Sequence, residues 1–337
     1  MKLLVTGGAG FIGSHFIRQI ITKKDVELVV NLDKLTYAGH LENLKDVENN
    51  VKYQFVQGDI ADPKIVGKCI QGIDVVINFA AETHVDRSIQ DASPFLRTNV
   101  QGTQVLLEAV KAAKTPRFVH ISTDEVYGSI AKGHATEKTN LNPSSPYAAS
   151  KAASDLLVMS YFTTFGLPVL ITRAANNYGP FQYPEKFLPL FITRAMNGEP
   201  LPLYGDGKNV RDWLHVQDHC EAIEGVIRKG KNGQIYNIGG VKGYANIDVV
   251  QKILKKLDKP KSLVRFVTDR LGHDRRYAMS IAKITKELGW KPKHHFEAGL
   301  IELIHWYQAN EGWWRAITQK SAAYKTYVQK QYGKATA

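Results

Sequence analysis

Apolar and polar positions follow two rhythms along the first half of the chain. Short β-rich runs predict strands over Lys2–Thr6, Glu27–Leu32, Val51–Val56, Asp74–Phe79, Arg117–Ile121 and Pro168–Thr172. Between them, helical patterns predict helices over Phe11–Thr22, Pro94–Ala113 and Ser145–Phe165. Strands that alternate with helices form βαβ units, which lay the strands parallel and cover both faces of the sheet. Beyond Thr172 the pattern loosens, because Pro180, Pro184, Pro189, Pro200 and Pro202 break up Asn176–Asp206. Helices are predicted again over Val216–Arg228, Asp248–Leu257, Ile281–Leu288 and Phe296–Asn310, with a strand over Gln234–Ile238. The expected fold class is α/β: a doubly wound parallel (Rossmann) sheet with a second, smaller α/β domain for substrate. The first domain is expected over 1–175 plus 212–238, the second over 176–211 plus 239–337.

Composition narrows the class. The 337 residues suit about two domains, with 44% apolar and 23% charged residues as in ordinary globular proteins. No apolar run approaches the ~18 residues of a spanning helix. The start, Met1-Lys2-Leu3-Leu4-Val5-Thr6, turns directly into glycines without a signal-peptide apolar region. Cys69 and Cys220 are too few for a disulfide framework and lack metal-ligand spacing, so no metal is expected and a cytoplasmic compartment fits. The net charge of +12 is lopsided: from Gln251 onward there are 18 Lys and Arg against 7 Asp and Glu. Such an excess faces a phosphorylated ligand, an anionic surface or solvent. Helix-turn-helix, zinc and aromatic-interleaved patterns are lacking, so neither nucleic acid nor membrane is an expected partner.

Chemistry begins at Gly7-Gly8-Ala9-Gly10-Phe11-Ile12-Gly13, between the first strand and the first helix. Gly8, Gly10 and Gly13 satisfy GxGxxG, and Gly7, Gly10 and Gly13 satisfy GxxGxxG. Such glycines let the backbone turn tightly and approach a pyrophosphate resting on unpaired helix N–H groups. Asp33 stands twenty residues after Gly13, placed to accept from a ribose 2′-hydroxyl and to repel a 2′-phosphate, which favours NAD over NADP. Asp59 and Ile60 stand where such folds approach adenine. Tyr147 and Lys151, at i and i+4, share one helix face. Beside an NAD site, Lys151 and the cofactor's positive ring are expected to lower the Tyr147 pKa and make it a base for an alcohol proton, with Thr123 bonding the same oxygen. Asp124 and Glu125 follow Thr123 directly, a proton donor and a proton acceptor where environment separates their pKa values.

These residues resemble the extended short-chain dehydrogenase/reductase family, and within it the dTDP-glucose 4,6-dehydratases, from Met1 to about Trp314. Segments that carry the likeness include Asp33–Gly39, Ala80–Ser88, Asn176–Pro180, Pro184–Lys186, Arg211–Leu214, Tyr236–Gly240 and Gly272–Tyr277. The Asp-Glu pair separates dehydratases from epimerases, and an Asp rather than a Ser before the Glu separates them from GDP-mannose dehydratases. One departure is that only Ser129–Ser144 lies between Gly128 and Ser145, where some relatives carry a longer insertion.

The resemblance implies conversion of dTDP-glucose to dTDP-4-keto-6-deoxyglucose and water, with tightly held NAD regenerated in each turnover. UDP-glucose 4,6-dehydration and sugar-nucleotide 4-epimerisation are the alternatives. It implies cofactor contacts from Gly7, Gly10, Phe11, Ile12, Gly13, Asp33, Lys34, Thr36, Asp59, Ile60, Ala80, Ala81, Thr98, Tyr147, Lys151 and Asn177. Substrate contacts are implied for His84, Ser88, Thr123, Asn176, Lys186, Pro202, Tyr204, Arg211, Asn246, Asp274, Arg275, Arg276 and Tyr277. Lys186, Arg211 and Arg276 suit a diphosphate clamp, and Pro202 and Tyr204 could frame the base. The catalytic set is Thr123, Asp124, Glu125, Tyr147 and Lys151. The family pairs subunits through helices like Pro94–Ala113 and Ser145–Phe165, so a homodimer is expected.

Overall fold

The computed structural model describes residues 1–114 and 116–332. Its strands are β1 (Lys2–Thr6), β2 (Leu28–Asp33), β3 (Tyr53–Gln57), β4 (Val75–Asn78), β5 (Arg117–Thr123), β6 (Val169–Ala174), β7 (Asn176–Tyr178), β8 (Leu201–Tyr204), β9 (Val210–His215), β10 (Gln234–Ile238), β11 (Gly243–Ala245) and β12 (Val264–Val267). Seven of them form one parallel sheet in the order β3-β2-β1-β4-β5-β6-β10. The strand order reverses beside β1, which pairs with β2 on one edge and β4 on the other. A cleft opens at such a switch point, outside the carboxyl ends of the strands. Register brings those ends level: Thr6 lies opposite Asn78, Asn78 opposite His120, and Thr123 opposite Ala174.

Both faces of the sheet are covered, which is why β1 is apolar without alternation. Leu3 and Val5 pack into a core with Phe16, Ile17, Ile223, Val226 and Ile284. Leu4 faces the other way, among Val66, Leu106, Val110, Phe118 and Val158. A third core gathers Tyr178, Leu188, Phe191, Trp213, Val250, Ile253, Leu303 and Trp314. It lies with the small β11-β9-β7 sheet and the parallel β8–β12 pair.

Three departures from the sequence pattern have local causes. A helix, Phe187–Asn197, occupies the proline-broken stretch, and Pro189 fits because its first-turn N–H would have had no helical partner. The expected helix Pro94–Ala113 is interrupted: Leu96–Gly102 winds as a π-helix before Thr103–Ala113 resumes the α-form. The helices Pro63–Cys69 and Val85–Gln90 are too short for their periodicity to register. The proposed domain limit at 212 falls inside β9, and Met279, Ile284 and Trp290 join the core of the main sheet although they follow residue 239. Residues 333–337 of the expected second domain lie outside the described residues. Among the described residues, no helix is long and apolar enough to cross a membrane.

Candidate active site

The glycine loop joins β1 to the helix Phe11–Ile20, whose N-cap, Gly10, carries no side-chain cap. The first N–H groups of that helix are therefore available to an anion. Gly7 has φ +70°, and a Cβ on it would stand 2.7 Å from the Ala80 Cα; one on Gly13 would stand 2.8 Å from the Gly8 Cα. Side chains there would fill the cradle with backbone on every side. At the end of β2, the Asp33 carboxylate accepts from Ala9 N–H at 2.9 Å and Leu35 N–H at 2.8 Å. Burial raises its pKa and these two bonds lower it. Asp59, at the far end of the cleft, accepts from Lys34 at 2.9 Å and Arg97 at 3.2 Å. All sixteen residues expected to contact NAD line this one cleft. Its glycine cradle, uncapped helix end and buried carboxylate fit a dinucleotide.

The cleft runs on to the end of β5. Thr123 caps the turn that follows, accepting from Glu125 N–H at 3.2 Å, and its hydroxyl donates to Asp124 Oδ1 at 3.2 Å. Asp124 is buried, and its Oδ2 has no partner among the described residues. Burial and then the neighbouring Glu125 charge push Asp124 well above the usual carboxylate range. Glu125 is also raised by burial, but Arg211, Arg270 and Lys186 pull it back. The helix Pro146–Phe165 starts at Ser145, whose hydroxyl accepts from Ala148 N–H at 3.1 Å, with Pro146 in the first turn. It carries Tyr147 and Lys151 into the same space. Lys151 Nζ donates to the Ile121 carbonyl at 2.7 Å, and burial lowers its pKa to about 8 against the pull of Asp155.

At Tyr147 the protein's own groups act against the lowering expected beside NAD. Burial, followed by the Glu125 charge, raises the phenol, and the Thr123 hydroxyl draws it down. Within the protein, desolvation of the phenolate outweighs the lowering expected from Lys151.

A second cavity adjoins the first, and Thr83, Glu125, Asn176 and Lys186 line both. Its walls bring together His84, Pro202, Tyr204, Arg211 and Asn246 as expected substrate residues. Lys186 Nζ donates to Thr83 Oγ1 at 3.0 Å, and Arg211 Nη2 donates to the Asp274 carbonyl at 2.9 Å. Five expected residues do not line either cavity. Ser88 lies beneath, accepting from Tyr147 N–H at 3.1 Å. Tyr277 and Asp274 bond each other at 2.8 Å under Arg211, whose guanidinium sits 4.1 Å from the Tyr277 ring. Arg275 pairs with Asp206 at 2.7 Å, and Arg276 donates to the carbonyls of Ile130 and Gly133 at 2.8 and 2.9 Å.

Arg276 lines neither cavity in this structure, and its Nη1 holds a loop. Arg270 stands in the cavity instead, paired with Asp86 at 2.7 Å. Sequence reading missed Arg270, Asp86, Thr83 and Tyr332. The only local cue for Arg270 was its place two residues before the Gly272-His273 turn. His273 both lines the cavity and bonds Asp269 at 2.6 Å.

Parallel sheet, glycine cradle and Tyr-Lys helix together define a short-chain dehydrogenase/reductase. Residues 4–303 match the family profile described as GDP-mannose 4,6 dehydratase, and the chain belongs to that family of sugar-nucleotide 4,6-dehydratases. A dTDP-glucose 4,6-dehydratase of Streptomyces niveus is 48% identical over 328 residues, covering 96% of this chain and 97% of its own. One from Xanthomonas campestris is 50% identical, covering 94% and 96%. The crystal structure of the Streptomyces venezuelae enzyme of that name, with NAD and dTDP bound, is similar with a TM-score of 0.93 and 50% identity, covering 94% of this chain and all of the other.

The cradle makes Gly13→Ala a test of the cofactor site. Its Cβ meets backbone that has no room to give, so NAD affinity measured by calorimetric titration is expected to fall at least about tenfold, roughly 1.4 kcal/mol. The far-ultraviolet circular dichroism should stay unchanged.

Proposed function

We propose that this protein is a dTDP-glucose 4,6-dehydratase, releasing water and dTDP-4-keto-6-deoxyglucose. The reading is carried by the adjoining of a buried Asp124 and a half-buried Glu125 with the Tyr147-Lys151 helix in one continuous cleft. It is supported by relatives of that name at 48% and 50% identity over nearly the whole chain. The dinucleotide cradle holds NAD: the glycine loop takes the pyrophosphate, Asp33 the adenosine ribose, and Asp59 and Ile60 flank the adenine. Bound there, NAD would supply an acceptor for a hydride from sugar C4 and its return to C6.

Tyr147 takes the proton of the C4 hydroxyl while Thr123 holds the same oxygen. Lys151, as an ammonium, stabilises the phenolate. A C4 carbonyl acidifies the C5 hydrogen, which Glu125 removes. Asp124, kept protonated by burial and by its neighbour's charge, gives that proton to the C6 hydroxyl, which departs as water. Glu125 returns its proton to C5 after the hydride reaches C6, the C4 proton held on Tyr147 replaces the one Asp124 gave, and the balance closes on one lost water. Arg211, Arg270 and Lys186 supply the positive charge for a nucleoside diphosphate, with Pro202 and Tyr204 at the base. Confinement matters because both the keto sugar and the reduced cofactor must stay enclosed until the hydride returns.

The reading places the enzyme in the cytoplasm, where the two unpaired cysteines, Cys69 and Cys220, stay reduced. It also makes the enzyme a homodimer. Leu96, Leu156 and Phe165 expose apolar side chains at 56%, 64% and 51% on the two segments expected to pair, apolar surface that an interface would remove from water. Light scattering at micromolar concentration should give twice the chain mass, and a pure monomer would remove the dimer.

With C4-deuterated dTDP-glucose the label should appear at C6 of the same sugar. Loss of deuterium to solvent would overturn the hydride cycle. Tyr147→Phe, Asp124→Asn and Glu125→Gln should each lower kcat by about 10²–10⁴-fold, measured by the alkaline absorbance of the keto product. The pH dependence has a definite sign. Lys151 loses its charge as pH rises through about 8, so kcat should decline above that pH, and a rate that stays level or climbs there would contradict its role as an ammonium.

A further inference from the structure

Beneath the Tyr147-Lys151 pair lies a layer of polar groups sealed from solvent. His120 on β5 is wholly buried, as is Asn78 on β4, and Asp155 lies one helical turn beyond Lys151. The described hydrogen bonds fix the proton on His120. Thr103 donates its only hydroxyl hydrogen to the Asn99 carbonyl at 2.6 Å, so at Asn78 it can only accept, from Nδ2 at 3.3 Å. Thr6 donates to the other end of the Asn78 amide, Oδ1, at 2.7 Å. The amide orientation is thereby set, and its Nδ2 faces His120 Nδ1 at 3.3 Å. Nδ1 is an acceptor, and the ring hydrogen is on Nε2. Burial, with Lys151 and Arg173 nearby, holds the imidazole well below its ordinary pKa, so the ring is neutral.

That Nε2–H faces two groups: Lys151 Nζ at 3.3 Å and Asp155 Oδ1 at 3.8 Å. Asp155 Oδ1 is buried with no partner at hydrogen-bonding distance among the described residues, the Ser122 hydroxyl also lies beside this carboxylate, and Oδ2 accepts from Arg173 Nε at 2.8 Å. An ammonium at Lys151 has no lone pair for the Nε2–H, which then faces the Asp155 carboxylate electrostatically, while Nζ donates to the Ile121 carbonyl. An amine at Lys151 has a lone pair and accepts it. We propose that His120, backed by Asp155, is a positioning residue whose Nε2–H is directed at Asp155 while Lys151 is an ammonium and is donated to the Lys151 nitrogen once that is an amine. The titratable groups around Lys151 are Tyr147 and Asp155 on its own helix, His120 on β5 and Arg173 on β6, with Asp124 and Glu125 beyond Tyr147. Among the first four, the neutral imidazole alone offers an N–H to an amine across the 3.3 Å gap. The role in turnover rests on the reading of Lys151 given above; the hydrogen-bond pattern does not.

Two measurements test it. In histidine-labelled holoenzyme, nitrogen-15 spectra should show His120 as the neutral Nε2–H tautomer from pH ~6 to ~9, its shift moving where Lys151 titrates. An Nδ1–H tautomer or an imidazolium in that range would overturn the proposal, whatever the catalytic roles prove to be. His120→Gln keeps the pattern, with Oε1 accepting from Asn78 and Nε2 donating, and should retain the wild-type pH profile. His120→Phe removes the donor, so the amine loses its partner and Lys151 holds its proton longer. Its alkaline kcat limb should move up by about one pH unit with KM within about twofold. An unmoved limb in His120→Phe, alongside an inactive Tyr147→Phe, would sink the positioning role and leave the Tyr147 reading standing. An active Tyr147→Phe sinks that reading instead. Should His120→Phe not fold, the wild-type tautomer and the His120→Gln profile decide the matter.

Discussion

Burying an ammonium group costs several kcal/mol unless acceptors replace its water, and Lys151 is only 3% exposed. Its resting place on the Ile121 carbonyl therefore ties the helix Pro146–Phe165 to the end of β5 with little freedom. Much of the surrounding structure keeps that contact in register. Ser145 caps the helix, Ser88 meets Tyr147 N–H, and Asn99 accepts Ser154 Oγ at its carbonyl while donating to Ser150 Oγ. The π-helical turn that displaces Asn99 and Thr98 from a regular α-helix lies against this face. The result is a helix whose buried positions mix Ser150, Lys151, Ser154 and Asp155 with Ala148, Ala152 and Val158, while Leu156 and Phe165 are exposed.

The carboxylates are set apart by the same burial. Asp124 and Glu125 are neighbours in sequence but not in environment, since Arg211, Arg270 and Lys186 stand on the Glu125 side and favour its ionised form. Asp124 is held up by burial first and then by the Glu125 charge, with Arg211 drawing it down and the buried Asp212 adding to the rise. One carboxyl is thus kept as an acid and the other is eased toward a base, which is what an elimination across adjacent carbons requires. A Tyr147 phenol held up by burial belongs to the same economy of charge, because a site so short of solvent makes each ionisation depend on its neighbours.

Legibility in the sequence followed the range of the interaction. The glycine loop and Asp33 stand on consecutive elements of one βαβ unit, so spacing alone located them, and every expected cofactor residue lines the cleft. Substrate residues come from segments scattered from 83 to 332. There, type and proximity along the chain misled: Arg270 and Arg276 are close in sequence and alike in chemistry, but only Arg270 points into the cavity. Nothing local distinguishes them, because the choice was made by Asp86 on one side and the carbonyls of Ile130 and Gly133 on the other. The helix Phe187–Asn197 was hidden for a similar reason, since a proline count does not say at which helical position Pro189 falls.

By itself, the sequence determined the strand–helix alternation, the dinucleotide cradle and the side chains that gather at the end of β5, because each is written within a few turns of contiguous chain. Tertiary structure decided which arginines face the ligand, how far burial moves the ionisations of Asp124, Tyr147 and Lys151, and where the proton sits on His120. Those depend on dielectric surroundings and on partners tens to hundreds of residues away, which only the closed fold brings within hydrogen-bonding distance.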